Sequence, residues 1–162
     1  MLDSKKKIFL DISTLSETIR LIQSEGKKVV FTNGCFDIIH VGHVTYLEEA
    51  KNEGDFLVVG INTDSSVRNL KGPNRPINHQ SARLQVMAAL ESVDAVILFE
   101  EDTPLNLIKE IKPDILVKGG DYPISEIVGA DFVLMHGGKV KTLSLIPNYS
   151  TTGIEQKLKN QS

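Results

Sequence analysis

Short runs of apolar residues alternate along this chain with segments of helical pattern, and this alternation constrains the fold more than any other feature. Residues 56–61 and 95–99 are apolar throughout, without the alternation expected of a strand with one face in water. Continuous apolar runs of this length are typical of strands covered on both faces. Strands that alternate with helices imply right-handed crossovers and a parallel sheet. We therefore predict an α/β protein with a Rossmann-like, three-layer αβα architecture, in which ligands bind at the carboxyl ends of the strands.

The chain has 162 residues, which is enough for one domain with a substantial core. We predict a single domain over residues 1–162, with its core at about 26–159 and a leading helix and tail in residues 1–25. The predicted strands are 28–32, 56–61, 94–99, 114–118, 131–135 and 139–143. The predicted helices are 15–24, 41–52, 63–70, 79–91, 104–111 and 151–159.

The composition limits the class of protein. A formal net charge of −3 provides no general positive field for nucleic acid. No apolar run is long enough to span a bilayer, and the lysine-rich start is not followed by the hydrophobic region of a secretory signal. The single cysteine excludes an internal disulfide and fits a reducing compartment. We expect a cytoplasmic protein without nucleic-acid or membrane partners.

Residues 31–43 connect a predicted strand to a predicted helix and form a candidate phosphate site. Such a turn presents free backbone N–H groups and the positive end of the helix dipole. His40 and His43, in the spacing His-x-Gly-His, share one side of the helix start and could donate to one phosphate group. One histidine at a helix start is usually a cap or a surface group, but two around a glycine favour ligand binding. The candidate nucleotide-binding residues in this segment are Thr32, Asn33, Gly34, Cys35, Phe36 and Gly42.

Two further segments supply candidates for the same ligand. A Gly-Gly-Asp turn follows the predicted strand at 114–118, where an aspartate can accept hydrogen bonds from ribose hydroxyls. A Ser-Thr-Thr triplet opens the last predicted helix; one hydroxyl suffices as its cap, and the others add donors for phosphate oxygens. The candidate nucleotide-binding residues here are Gly119, Asp121, Ser150, Thr151 and Thr152.

The remaining polar positions give weaker signals. The segment 71–78, rich in Gly, Pro and Asn, predicts a surface loop, although its Lys71 and Arg75 could reach an anionic ligand. His79 and His136 match no motif and are expected at the surface. Cys35 has no evident histidine partner for thiol catalysis. No Cys/His cluster has the spacing of structural zinc ligands, and no metal-ligating residue is predicted.

The His-x-Gly-His turn resembles the signature of the nucleotidyltransferase superfamily, which includes cytidylyltransferases and phosphopantetheine adenylyltransferase. The motif is neither Gly-x-Gly-x-x-Gly nor the Walker lysine loop, so dehydrogenase and P-loop functions lose support. The resemblance implies that His40 and His43 bind the nucleotide phosphates and stabilise the transition state. It also implies that Lys71 reaches the phosphates, that Arg83 contacts the active site, and that the Ser-Thr-Thr triplet holds the β- and γ-phosphates.

The resemblance is closer to the adenylyltransferase half of the bacterial ADP-heptose synthases and extends over about residues 26–159. Phe-Glu-Glu-Asp-Thr-Pro at 99–104 and Val-Lys-Gly-Gly-Asp-Tyr at 117–122 indicate this branch more specifically than the histidine motif does. Residues 147–149 lack the arginine that glycerol-3-phosphate cytidylyltransferases carry before the triplet, which argues against glycerol 3-phosphate. No sugar-kinase segment is present, so we expect a separate kinase to make the sugar 1-phosphate.

The resemblance implies transfer of AMP from ATP to D-glycero-D-manno-heptose 1-phosphate, with release of pyrophosphate. Asp37 and Arg75 are the expected substrate-binding residues, with Asp37 orienting either the turn or the acceptor. Mg²⁺ would bridge phosphate oxygens and keep much of its water shell. We expect a homo-oligomer, with a dimer favoured. The residues do not select the base, so a cytidylyltransferase or adenylyltransferase for another phosphate acceptor, such as glycerol 3-phosphate, stays open, as does a non-catalytic nucleotide-binding module.

Overall fold

The middle layer of the protein is an all-parallel sheet of six strands in the order β1-β4-β3-β2-β5-β6. The computed structural model describes residues 4–147 and 149–160. The strands are β1 Ile8–Phe9, β2 Val29–Gly34, β3 Phe56–Asn62, β4 Ala95–Phe99, β5 Ile115–Gly119 and β6 Lys139–Leu143. The helices are α1 Ile12–Ser24, α2 Val41–Lys51, α3 Asp64–Lys71, α4 Gln80–Ala89, α5 Leu105–Ile111, α6 Ala130–Met135 and α7 Thr151–Lys159. Short 3-10 turns occur at Ser4–Lys7 and Ile124–Glu126.

Successive side chains of the central strand β2 enter two different cores. Val29 and Phe31 pack with residues of α1, α5 and α6 on one face of the sheet. Val30 packs with residues of α2 and α4 on the other face. Each of these three side chains is fully buried, so the strand is covered on both faces, as its continuous apolar sequence predicts. The predicted three-layer αβα fold with a parallel sheet is confirmed.

The first 25 residues contribute more to the sheet than their sequence indicates. β1 pairs with β4 at one edge through only two residues, a length that leaves no periodic pattern to detect. α1 begins at Ile12, three residues before the predicted start, because the Asp11 side chain caps it by accepting from Thr14 N at 2.8 Å. Leu15 of this helix is fully buried in the core.

The predicted strand at 131–135 is wrong, because these residues lie in helix α6. β5 and β6 pair in parallel, and a parallel pair needs a crossover connection, which α6 provides. Ala130 and Val133, three residues apart, are buried, whereas Met135 is 82% exposed. This is helical spacing, and a run of five residues is too short to distinguish it from a strand.

The chain leaves the sheet in opposite directions from neighbouring strands β2 and β5. β2 is followed in the sheet by β3 on one side, and β5 by β6 on the other. The carboxyl ends of β2 and β5 therefore flank a topological switch point, where open α/β sheets bind ligands. Within residues 4–147 and 149–160, no helix combines the length and the apolar character needed to cross a membrane.

Candidate active site

A cavity of about 540 Å³ lies at this switch point. Its wall comes from the β2–α2 turn, the end of β5, the loop after α3 and the start of α7. Most of the predicted site residues line it: Asn33, Gly34, Cys35, Phe36, Asp37, His40, Gly42, His43, Lys71, Arg75, Gly119, Ser150, Thr151 and Thr152. The fold thus brings together four segments that are far apart in the sequence.

The two histidines stand at the start of α2. His40 has extended backbone (φ −143°) at the N-cap position, and its carbonyl accepts from His43 N at 2.9 Å. The two rings stack with centroids 3.9 Å apart, and the Phe36 ring packs edge-on against His43 at 5.4 Å. Among the described residues, neither His40 Nδ1 nor His43 Nδ1 has a hydrogen-bond partner, although both atoms are buried. Buried ring nitrogens normally have partners, so these two unsatisfied nitrogens mark an unusual site.

Burial shifts both imidazoles towards the neutral form. Burial lowers the pKa of His43 to about 4, with further contributions from His40 and Lys71. Burial also lowers the pKa of His40. A neutral imidazole still donates one N–H, and bound phosphate would favour its charged form. Burial raises the pKa of the Cys35 thiol, which is consistent with a passive side chain.

Gly42 is required by close packing within the protein. A Cβ atom at this position would lie 3.0 Å from the His40 ring and 3.3 Å from Cβ of Tyr149. Any larger residue would push the histidine and the segment before α7 away from the turn. The sequence predicts close approach of the nucleotide at Gly42, and the structure adds this internal constraint.

Asp37 pins the loop after α3 to the histidine turn. Its carboxylate accepts from Asn78 N at 2.7 Å, from Ile77 N at 2.8 Å and from Arg75 Nε at 2.7 Å. Burial alone would raise the pKa of Asp37, but these hydrogen bonds and the charge of Arg75 outweigh it and hold the pKa below its usual value. Of the two roles expected for Asp37, the contacts support orienting the turn.

Arg83 does not line the 540 Å³ cavity, contrary to its expected place among residues that touch the active-site ligand. Its side chain is 1% exposed, and Nη2 donates to Asp64 Oδ1 at 2.8 Å. Nη1 donates to the carbonyl oxygens of Cys35 and Asn62, at the ends of β2 and β3. Arg83 therefore holds the ends of β2 and β3 together and supports the histidine turn without lining the cavity.

Thr32 and Asp121 also lie outside the cavity wall. Thr32 is fully buried, and its hydroxyl lies 2.6 Å from Tyr46 Oη inside the core. Asp121 is exposed beyond the end of β5. Thr32 supports the floor of the site through Tyr46, which does line the cavity.

The three residues of the Ser-Thr-Thr triplet at the start of α7 make different contacts. Ser150 caps the helix, since Gly153 N donates to its Oγ at 3.0 Å. Thr151 Oγ1 donates to the Ile38 carbonyl at 3.5 Å, which ties the helix start to the histidine turn. Thr152 is exposed at the cavity wall. Asn148, within the region compared with glycerol-3-phosphate enzymes, lies outside the described residues.

Sequence reasoning missed Lys118 as a site residue. Lys118 lies at the carboxyl end of β5, beside the switch point, and burial lowers the pKa of its ammonium group. It lines the 540 Å³ cavity and also an adjoining cavity of about 580 Å³. The signal that could have found it is a cation directly before the two glycines at a strand end.

The adjoining 580 Å³ cavity shares part of its wall with the first, and this shared wall is termed the neck. The residues common to both walls are Asn33, Gly34, Cys35, Lys71, Lys118 and Tyr122. Away from the neck, the second cavity is lined by polar groups, including Asn62, Asp102 and Glu126, over an apolar floor of Leu116 and Ile127. Two compartments joined at two lysines suit two ligands that meet at a phosphate.

A third cavity, of about 630 Å³, lies beside β4 and does not suit phosphates. Among the described residues, its lining includes Glu100, Glu101 and Glu110 and no basic residue. Carboxylates without cations repel phosphate oxygens, so this cavity is a poor place for a nucleotide.

No group of three or more His, Cys, Asp or Glu residues in the described part of the chain is arranged to hold a metal ion. A magnesium ion at this site would therefore take its ligands mainly from phosphate oxygens and water, as Mg²⁺ commonly does.

The model of the cytidylyltransferase-like family matches residues 31–156, which contain the histidine turn, both lysines and the Ser-Thr-Thr triplet. This chain belongs to the cytidylyltransferase-like family. It is accordingly a nucleotidyltransferase by family, and the predicted superfamily is confirmed.

Curated relatives of this cytidylyltransferase-like chain include longer proteins. The chain is 55% identical over 94% of its length to "Bifunctional protein HldE" of Azotobacter vinelandii, of which the match covers 32%. It is 58% identical over 85% of its length to the protein of the same name from Pseudomonas fluorescens, of which the match covers 29%. The chain thus spans about a third of the length of these relatives.

Solved structures agree with the family. A lipopolysaccharide core biosynthesis protein from Thermoplasma volcanium is 35% identical and aligns with a TM-score of 0.60 over 75% of this chain and 98% of its own. The pantoate-beta-alanine ligase from Francisella tularensis is 17% identical, with a TM-score of 0.60 over 94% of this chain and 76% of that one. The second similarity concerns the fold alone.

Proposed function

We propose that this chain is a sugar-phosphate adenylyltransferase that transfers AMP from ATP to D-glycero-D-manno-heptose 1-phosphate. The observation that carries the proposal is a pair of adjoining cavities that share Lys71 and Lys118 in their walls. A reaction between two phosphate-bearing substrates needs one compartment for each and cations where the phosphates meet. The 55% identity to a bifunctional HldE protein over 94% of this chain supports the same branch.

In this proposal ATP occupies the 540 Å³ cavity, which contains His40, His43 and the Ser-Thr-Thr triplet. The neutral imidazoles donate hydrogen bonds to the α- and β-phosphate oxygens, and the triplet holds the pyrophosphate portion. These donors are fixed by the fold before the substrate arrives, so they stabilise developing charge without reorganisation.

The sugar occupies the 580 Å³ cavity, whose polar wall can hydrogen-bond its hydroxyls, and its phosphate lies at the neck beside Lys118. An oxygen of the sugar phosphate attacks the α-phosphorus in line. The new P–O bond forms as the bond from the α-phosphorus to the bridging oxygen of pyrophosphate breaks, and pyrophosphate leaves with the electron pair. The acceptor is already anionic at pH 7, so no strong general base is needed, and the site acts by positioning and charge stabilisation.

Magnesium bound with ATP would neutralise part of the phosphate charge, and Lys71 is the residue placed at the neck to do the same. We further propose that the enzyme acts in the cytoplasm and as a homo-oligomer, with a dimer favoured. Light scattering of the purified protein measures the oligomeric state.

The test is pyrophosphate release across a panel of nucleotides and acceptors. ATP with D-glycero-D-manno-heptose 1-phosphate should react far faster than CTP with glycerol 3-phosphate, because a pocket built to bind the hydroxyls of a sugar binds an acceptor with fewer hydroxyls less well. Preference for CTP and glycerol 3-phosphate would overturn the substrate while leaving the reaction class. No release with any pair would favour a non-catalytic nucleotide-binding module.

A further inference from the structure

Helix α7 carries the Ser-Thr-Thr triplet but is weakly anchored to the rest of the protein. None of its nine residues, all of which are described, is buried. Helices of this length are marginal on their own and depend on contacts with the rest of the fold. The position of the triplet over the cavity therefore depends on contacts at the surface of the helix.

One such contact joins α7 to Arg75. Glu155 Oε1 accepts from Arg75 Nη1 at 2.5 Å, and the same guanidinium donates through Nε to Asp37 Oδ2 at 2.7 Å. The side chains of Asp37, Arg75 and Glu155 are 1%, 12% and 25% exposed, so the ion pairs are largely shielded from water. A planar guanidinium held by two carboxylates has one fixed orientation.

That orientation leaves one donor group without a partner. Arg75 Nη2 is buried and has no hydrogen-bond partner among the described residues. Arg75 lines the 540 Å³ cavity and a neighbouring cavity of about 730 Å³, both of which also contain Thr152. It does not line the 580 Å³ cavity proposed for the sugar. Arg75 therefore faces the same end of the site as the triplet.

We propose that Glu155 is a positioning residue for the pyrophosphate portion of ATP. Its ion pair fixes the guanidinium of Arg75, whose Nη2 then serves the phosphates, and holds α7 beside it. The inference rests on the proposed function, since it takes this end of the cavity as the place of the leaving group. It also reassigns Arg75 from the acceptor to the nucleotide.

The direction in which phosphate binding changes when Glu155 is neutralised distinguishes a positioning role from simple charge repulsion. A carboxylate near a phosphate site repels the ligand, so a Glu155 that only competed for Arg75 would weaken phosphate binding, and its neutralisation would strengthen it. A positioning Glu155 has the opposite effect: its neutralisation releases both Arg75 and α7 and weakens binding.

The experiment compares wild type, Glu155→Gln and Glu155→Asp, with Glu17→Gln as the matched control. Glu17 is an exposed glutamate on α1, outside the cavity walls. Calorimetry with inorganic pyrophosphate and with AMP measures the two parts of the nucleotide separately. We expect Glu155→Gln to weaken pyrophosphate binding about tenfold, the scale of one lost charge-assisted hydrogen bond, and to leave AMP binding unchanged. Glu155→Asp should recover part of the loss, and Glu17→Gln should match wild type.

Amide hydrogen exchange supplies a readout that needs no ligand. The amides of α7 should exchange faster in Glu155→Gln than in Glu17→Gln or in wild type. Tighter or unchanged pyrophosphate binding in Glu155→Gln, or unchanged exchange in α7, would overturn the inference. A wild-type protein that binds pyrophosphate but forms no ADP-heptose would overturn the proposed acceptor instead, and this test of Glu155 would still apply.

Discussion

The imidazole rings of His40 and His43 stack face to face, with their centroids 3.9 Å apart and their planes inclined by 28°. Two charged rings at this distance would repel each other, so the arrangement favours neutral imidazoles in the free protein. Both histidines line a cavity whose described wall carries three cationic side chains, Lys71, Arg75 and Lys118, and only one carboxylate, that of Asp37. The pair is thus prepared for a ligand that is rich in negative charge.

The first prediction concerns the titration of His43. In the free protein its NMR signals should titrate with a midpoint of about 4, compared with 6.5 for an unperturbed histidine. The unfolded chain binds a proton at this histidine near pH 6.5, whereas the folded protein binds it only near pH 4. The free energy of unfolding should therefore decrease as the pH falls from 6.5 towards 4, and His43 should not affect it above pH 6.5. Bound ATP should raise the midpoint, since phosphate oxygens favour the imidazolium form. A midpoint that ATP does not move would mean that the phosphates do not contact this ring.

The second prediction concerns catalysis. His43→Ala should lose roughly 10²–10³ in kcat for pyrophosphate release, the scale for one preorganised donor. The half-buried ring of His43 lies at the cavity wall, so the fold should persist, which circular dichroism can check. His136→Ala is the control, since His136 is exposed at the end of α6 and should leave kcat unchanged. Equal turnover in both variants would remove His43 from the catalytic residues.

The third prediction concerns Asp37. Asp37→Asn should lower the free energy of unfolding by about 2 kcal/mol at pH 7, because the donors of Arg75, Ile77 and Asn78 lose a buried carboxylate acceptor. The pKa of Asp37 is held below 3.8, so its contribution is present at neutral pH and is lost only as the pH falls through that lowered pKa. Urea denaturation at several pH values measures this difference. The control Asp121→Asn, at an exposed position, should leave the free energy of unfolding and its pH dependence unchanged.

The fourth prediction separates the two compartments. Lys118→Met should raise KM for the sugar phosphate about tenfold, since it removes a cation from the neck, and should change KM for ATP much less. Lys139→Met, at an exposed position of β6, provides the control. A larger rise in KM for ATP than for the sugar phosphate would place Lys118 on the nucleotide instead of the acceptor.

Local chemistry gave reliable predictions where neighbours in the sequence are also neighbours in space. The His-x-Gly-His spacing predicts two rings on one side of a helix start, and the rings stack there. The predicted helix at 63–70 corresponds to α3, which Thr63 caps by accepting from Ser66 N at 3.3 Å. His79 and His136 are exposed, as predicted. The strand at 131–135 failed because five apolar residues fit either period, and only the parallel pairing of β5 with β6 requires a helix.

The sequence by itself determined the layered parallel sheet, the position of the histidine turn and five of the six strands, because continuous apolar runs and short motifs are local properties of the chain. The edge strand β1 and the helix at 130–135 were not predicted. The tertiary structure alone decided which distant side chains meet. Arg83 was expected to contact the ligand, yet its guanidinium is enclosed by carbonyl oxygens from two strand ends. Lys118 and Lys71 line the same two cavities, and Arg75 donates to Glu155 eighty residues away. Such contacts depend on how crossovers bring the ends of separate strands and helices to one edge of the sheet, and no local pattern records that arrangement.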